Sequence, residues 1–200
     1  MLLAYVLGTL TAGYYWVRWR TGLDIRQVGS GNVGARNVGR VTGTTGFLVT
    51  LLWDVTKGAL AVGLATYFHL TDEGVVACIL AVVGGHNWPI QLRFQGGKGV
   101  ATSVGALLAF DPWAVLILCV AFVPLWALIR NFTLSGLLAF AVTPLVLFLA
   151  GFGNPVVAAL SFLAILLIAT HRKNIREEFA RVMPSRAVKE GESDKGSDEP

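Results

Sequence analysis

Charge is what this 200-residue chain has least of. Charged side chains make up 14% of it, and half of these 28 groups fall in the last 30 residues, 171–200. The first 170 residues therefore carry about a third of the charge density of a soluble globular chain. Cysteine is almost missing too: Cys78 and Cys119 both sit inside apolar runs, which suits small core hydrophobes and supplies neither a disulfide framework nor a thiolate metal site. Aspartates are too scattered in the apolar body to gather around a metal. No period of 20–50 residues and no low-complexity core segment occurs. These absences exclude a soluble enzyme, a secreted disulfide scaffold and a nucleic-acid-binding domain, although the pI is near 9.3. No nucleic-acid partner is expected.

What is present is apolar: 54% of residues are hydrophobic and mean hydropathy is +0.65. Apolar stretches run over about 2–17, 46–70, 75–91, 99–110, 113–129, 134–152 and 155–170, divided by short polar or Gly/Pro breaks. The fold class expected is all-α, a polytopic transmembrane helical bundle of about seven spans. The first stretch has no basic residues ahead of it and no small-residue cleavage pattern after it, so it is expected to be a retained span. Residues 99–110 are short for a crossing at about 1.5 Å per residue.

Basic residues then give the orientation. Arg18, Arg20, Arg26, Arg36 and Arg40 occupy the first connection, Arg93 and Lys98 the third, Arg130 the fifth, and seven more follow the last stretch. The even connections hold Asp72, Glu73 and Asp111 instead. Because basic loops stay in the cytoplasm, the N-terminus is expected outside and the C-terminus in the cytoplasm. Residues 1–176 form the membrane domain in this reading, and 177–200 a cytoplasmic, disordered tail.

Polar residues that a bilayer tolerates only at a cost point to function. The first connection holds Gly29-Ser30-Gly31-Asn32-Val33-Gly34-Ala35-Arg36-Asn37-Val38-Gly39-Arg40, a glycine-rich run whose free N–H groups and nearby arginines suit an anion, phosphate above all. Its nominal Gly-x-Gly-x-x-Gly follows no strand, which rejects a dinucleotide fold. The third connection ends in Gly96-Gly97-Lys98-Gly99 leading to Thr102 at the start of an apolar helix. That again combines backbone donors, an ammonium and a helix N-terminus, without the spacing of a nucleotide-hydrolysing phosphate loop. Asp54 and Lys57 lie three apart on one helical face, where they can pair, and Lys57 could reach back toward the headgroups. His171 and Asn174 share a face at the end of the last stretch, while Arg172 and Lys173 there are already accounted for by topology.

These residues resemble the bacterial acyl-phosphate-dependent glycerol-3-phosphate acyltransferases. The likeness rests on Gly-Ser-Gly-Asn-x-Gly-x-x-Asn at 29–37 with Arg40, on Asp54-x-x-Lys57-Gly58, on Gly85-His86-x-x-Pro89 with Phe94-x-Gly96-Gly97-Lys98-Gly99-Val100-Ala101-Thr102, and on His171-x-x-Asn174-Ile175. It covers residues 1–176. The resemblance implies transfer of a fatty acyl group from acyl phosphate to the 1-hydroxyl of sn-glycerol 3-phosphate, at the cytoplasmic face of a bacterial plasma membrane, giving lysophosphatidic acid and phosphate, with no metal or other cofactor. It implies Lys98, Arg40, His86 and His171 as catalytic residues. Ser30, Gly31, Asn32, Asn37, Lys57, Gly97, Gly99, Thr102, Thr133 and Asn174 would bind substrate. The chain departs from the family in having Arg36 where threonine is usual, in a third motif around 130–136 that is poorer in serine, and in lacking the usual glutamate beyond Asn174. The alternative function is a membrane transporter of a phosphorylated metabolite, whose site would lie nearer mid-bilayer. The sequence does not set the oligomeric state, and a monomer accommodates every motif.

Overall fold

The structure, a computed structural model, describes residues 1–182, with side chains through residue 178. Those residues are helical and contain no strand. In chain order the helices are α1 (Leu2–Thr9), α2 (Ala12–Thr21), α3 (Ala35–Tyr67), α4 (Asp72–Asn87), α5 (Val100–Phe110), α6 (Pro112–Ile129), α7 (Phe132–Leu149) and α8 (Asn154–Val182), with 3₁₀ turns at Ile25–Gln27 and Ile90–Leu92. Apolar side chains cover the outside: Leu52, Val120, Val123, Leu145, Phe148 and Ile165 are all exposed. In water that surface would be an aggregation liability, whereas hydrocarbon accepts it, since the helices satisfy their own backbone groups.

Among the described residues five helices are long and apolar enough to cross a membrane: α3, α4 with its following turn, α6, α7 and α8. The other two expected stretches differ. The first is broken at Leu10–Thr11 into α1 and α2, of 8 and 10 residues, neither of which can cross alone. The fourth is α5, of 11 residues, about 16 Å long against a core of about 30 Å. Close packing on α3 holds α5 in place. Gly58 lies against the Thr102 carbonyl and Gly105 against the Val55 carbonyl, so that a Cβ at either would overlap backbone.

Helix ends explain where the chain turns. Asp111 caps α6 by accepting from the N–H groups of Trp113 and Ala114, at 3.0 and 3.1 Å, and Pro112 fills the first helical position, where no N–H is needed. Thr71 caps α4 through the Gly74 N–H, with Asp72 and Glu73 in the first turn. By chain order these acidic caps lie at the far ends of α3 and α5 from the glycine-rich connections. Helix α3 is interrupted once, at Gly43, whose φ of 76° and ψ of −170° leave the helical region; residues 35–42 thus form a separate leading helix. At the other end of the chain α8 continues to Val182, past the expected boundary at 176. The rest of the expected tail, 183–200, lies outside the described residues.

Candidate active site

Two buried clusters divide the work. The larger packs α3, α4, α5, α6, α7 and α8 together. The smaller joins Val17, Ile25, Val33, Val38 and Leu92, and so fastens the first glycine-rich connection to the third. Polar contacts reinforce it: Arg26 donates from Nη1 to the Leu92 carbonyl at 2.9 Å, while Asp24 holds the same guanidinium. Hydrogen bonding to Arg26 holds the Asp24 carboxyl below its usual range, and the same bond raises Arg26 further.

Within the first connection Asn37 acts as a clamp. Its Oδ1 accepts from the Ser30 N–H at 3.0 Å, and its Nδ2 donates to the carbonyls of Val28 and Asn32 at 2.9 and 3.0 Å. The loop closes tightly enough that a side chain at Gly29, whose φ is +62°, would strike the Asn37 carboxamide. In the third connection the Gly97 and Gly96 N–H groups donate to the His86 and Asn87 carbonyls, at 2.9 and 3.1 Å. Gly97 lies so near the His86 ring that any Cβ would run into Nε2.

The two connections meet in an open cavity of about 530 Å³. Ser30, Gly31 and Asn32 form one wall, Gly96, Gly97 and Lys98 another, and Thr170 with Arg172 on α8 closes it. Lys98 donates to Asn174 Oδ1, and Thr170 Oγ1 donates to the Lys98 carbonyl at 3.3 Å. Burial draws the Lys98 ammonium below the ordinary lysine range, and the charges of Lys173 and Arg36 add to this, while Glu177 opposes it. Lys98 and Arg172 thus place two basic side chains on one concave surface, a charge pattern that suits an anion.

Of the expected site residues, Ser30, Gly31, Asn32, Gly97 and Lys98 line this cavity, and Asn174 holds Lys98. Asn37 and Gly99 shape the loops from behind. Gly99, at φ +85°, precedes α5. Lys57 does not reach the cavity. It is fully buried and its ammonium is met by Asp54 at 2.8 Å, His86 Nδ1 at 2.8 Å and the Leu10 carbonyl at 3.3 Å. The break at Leu10–Thr11 exposes the carbonyl that Lys57 uses, which is why it stays inside rather than snorkelling. Thr102 is likewise buried at the crossing of α5 on α3. Arg40 lines a second, shallower groove with Arg36, Gly39, Gly43, Thr44 and Phe47. Thr133 accepts from Arg36 Nη1 at 3.2 Å, and Arg36 also lies over the Phe132 ring, so the unusual arginine bridges α3 to the third motif.

His86 Nδ1 lies 2.8 Å from the Lys57 ammonium and 3.4 Å from Asp54 Oδ1, and its Nε2 faces Gly97. His171 Nδ1 donates to the Leu167 carbonyl at 2.8 Å and leaves Nε2 bare. Sequence reasoning missed Arg26, Asn87 and Glu177, and it set Arg172 aside as a topology signal. The only local hint for Asn87 was a polar residue closing an apolar helix.

A family model described as glycerol-3-phosphate acyltransferase matches residues 1–181. The chain is 45% identical over 175 residues to glycerol-3-phosphate acyltransferase 1 of Desulfitobacterium hafniense strain Y51, covering 87% of this chain and 86% of that protein. It is 42% identical over 186 residues to a glycerol-3-phosphate acyltransferase of Thermus thermophilus, covering 88% of each. Among solved structures it superposes on PlsY (YgiH), an integral membrane glycerol 3-phosphate acyltransferase in its glycerol 3-phosphate form, with a TM-score of 0.80, 33% identity and 90% of each chain covered. The lysophosphatidic acid form of PlsY gives a TM-score of 0.77 at 30% identity, covering 90% of this chain and 89% of that one.

Proposed function

The chain belongs to the glycerol-3-phosphate acyltransferase family, and we propose that it draws its acyl group from an acyl phosphate and works at the cytoplasmic face of a bacterial plasma membrane. Acyl transfer to glycerol 3-phosphate is its activity, and lysophosphatidic acid its product. The observation that carries the donor assignment is the meeting of two glycine-rich loops, Lys98 and Arg172 on one cavity, which provides for phosphate rather than for a thioester alone.

An acyl phosphate is a mixed anhydride, already activated. The 1-hydroxyl of glycerol 3-phosphate attacks the acyl carbon, the new ester C–O bond forms, the bond from acyl carbon to phosphate oxygen breaks, and phosphate departs. The departing phosphate takes the hydroxyl proton, so no covalent enzyme intermediate is needed. Lys98 and Arg172 neutralise the charge that grows on the leaving phosphate. Arg40, one helical turn from Arg36, serves the second anionic head from the neighbouring groove. Ser30, Gly31, Asn32, Gly97 and Asn174 bind or orient substrate; Asn37, Gly99, Lys57 and Thr102 support them from behind, with Thr133 at the third motif. His86 keeps the lysine loop in position, and His171, buried on α8 between the lining residues Thr170 and Arg172, supports that wall. The acyl chain lies among the apolar helices while both polar heads meet at the interface.

Seven basic residues follow the last expected span and none lies in the even connections, which supports the orientation. The full chain in detergent is expected to form lysophosphatidic acid and one equivalent of inorganic phosphate from palmitoyl phosphate and labelled glycerol 3-phosphate, and to leave palmitoyl-coenzyme A untouched. Product from the thioester alone would overturn the donor assignment. Movement of label into sealed vesicles without new lipid would favour the transporter.

A further inference from the structure

Asn87, the last residue of α4, is 3% exposed, and neither its Oδ1 nor its Nδ2 has a hydrogen-bond partner among the described residues. Buried carboxamides are ordinarily partnered. Its backbone carbonyl already holds the Gly96 N–H at 3.1 Å, so the loop does not depend on the side chain. Asn87 is one of the residues that line the cavity. Gly99 makes room for it: a Cβ there would stand 2.8 Å from Asn87 Oδ1.

The cavity's cations answer to phosphates. A neutral carboxamide answers to a different group, one that both donates and accepts, and a hydroxyl does both. Glycerol 3-phosphate brings two hydroxyls. The 1-hydroxyl must give up its proton as it attacks, and an amide cannot take that proton. We propose that the Asn87 carboxamide binds the 2-hydroxyl of the acceptor and so selects glycerol 3-phosphate over phosphate esters that lack this group. The assignment rests on the acyl-acceptor reading of the cavity. An acceptor without the hydroxyl leaves the buried amide idle, and sites that bind a substrate hydroxyl reject its deoxy analogue for that reason.

The test compares sn-glycerol 3-phosphate with 3-hydroxypropyl phosphate, using the full chain in detergent and palmitoyl phosphate as donor. The wild-type chain is expected to prefer glycerol 3-phosphate by roughly 100-fold in kcat/KM. In Asn87→Leu, which keeps the bulk and the backbone bonds, that ratio is expected to fall to within a few-fold, through loss on glycerol 3-phosphate while the deoxy acceptor is used as before. Asn87→Ala carries the same expectation should leucine not fold. An unchanged ratio in the variant, an equal fall for both acceptors, or a wild-type chain that uses both alike would each overturn the proposal. The rise in unfolding temperature given by each acceptor alone, without donor, reports the same selection. That reading decides the role of Asn87 even if palmitoyl phosphate proves not to be the donor, an outcome that would overturn the donor assignment separately.

Discussion

Replacing Lys98 by alanine is expected to lower kcat for acyl transfer by about 100- to 1,000-fold, the usual cost of removing one preorganised donor from a site of developing negative charge. The ammonium borders the cavity and is held by Asn174, so the loss should appear in kcat more than in the binding of either substrate. Its pH dependence follows from sign. The site needs the charged form, which is present below the pKa and lost as pH rises through it. Burial, with Lys173 and Arg36, lowers that pKa. The alkaline limb of kcat/KM should therefore fall at lower pH than an ordinary lysine would give, and in Lys98→Arg, whose guanidinium stays charged, the limb should move upward. Full activity in Lys98→Ala would remove this residue from the mechanism.

The second large effect is on stability. Lys57→Met leaves the Asp54 carboxylate buried without its ion-pair partner at 2.8 Å, and Asp54 is itself 2% exposed. Removing one partner of such a pair costs about 3–5 kcal/mol, which lowers the unfolding temperature by on the order of 10 °C. Asp54→Asn combined with Lys57→Met removes both charges and should recover a substantial part of the loss, since the penalty comes from the orphaned charge. Thermal unfolding of the two variants in detergent measures this. A double variant less stable than either single one would contradict it.

The sequence carried the polar half of the site well and the backbone half poorly. Glycines 29, 31, 97 and 99, Lys98 and Asn174 could be picked out because polar and flexible residues in an apolar chain have few other uses. The position of Lys57 could not, because it depends on the carbonyl of Leu10, freed where α1 stops. Hydropathy sees residues 2–17 as continuous and has no means of showing the break. The helix α5 was legible as too short, but the reason it holds, backbone contact at Gly58 and Gly105, needs the partner helix in place. The link from Arg26 to the Leu92 carbonyl spans 66 residues, so no local pattern reveals it. Arg172 shows the converse error: its charge has a sufficient topological explanation and a place in the cavity as well.

The central claim is that the first and third connections form one anion site open to one side of the membrane. Single cysteines placed by Ser30→Cys and by Gln95→Cys, in a background carrying Cys78→Ala and Cys119→Ala, can be labelled with a membrane-impermeant thiol reagent in oriented vesicles. Both are expected to react only from the cytoplasmic side and to be protected by the same concentration of glycerol 3-phosphate. Reaction from opposite sides, or protection of one position without the other, would contradict the account.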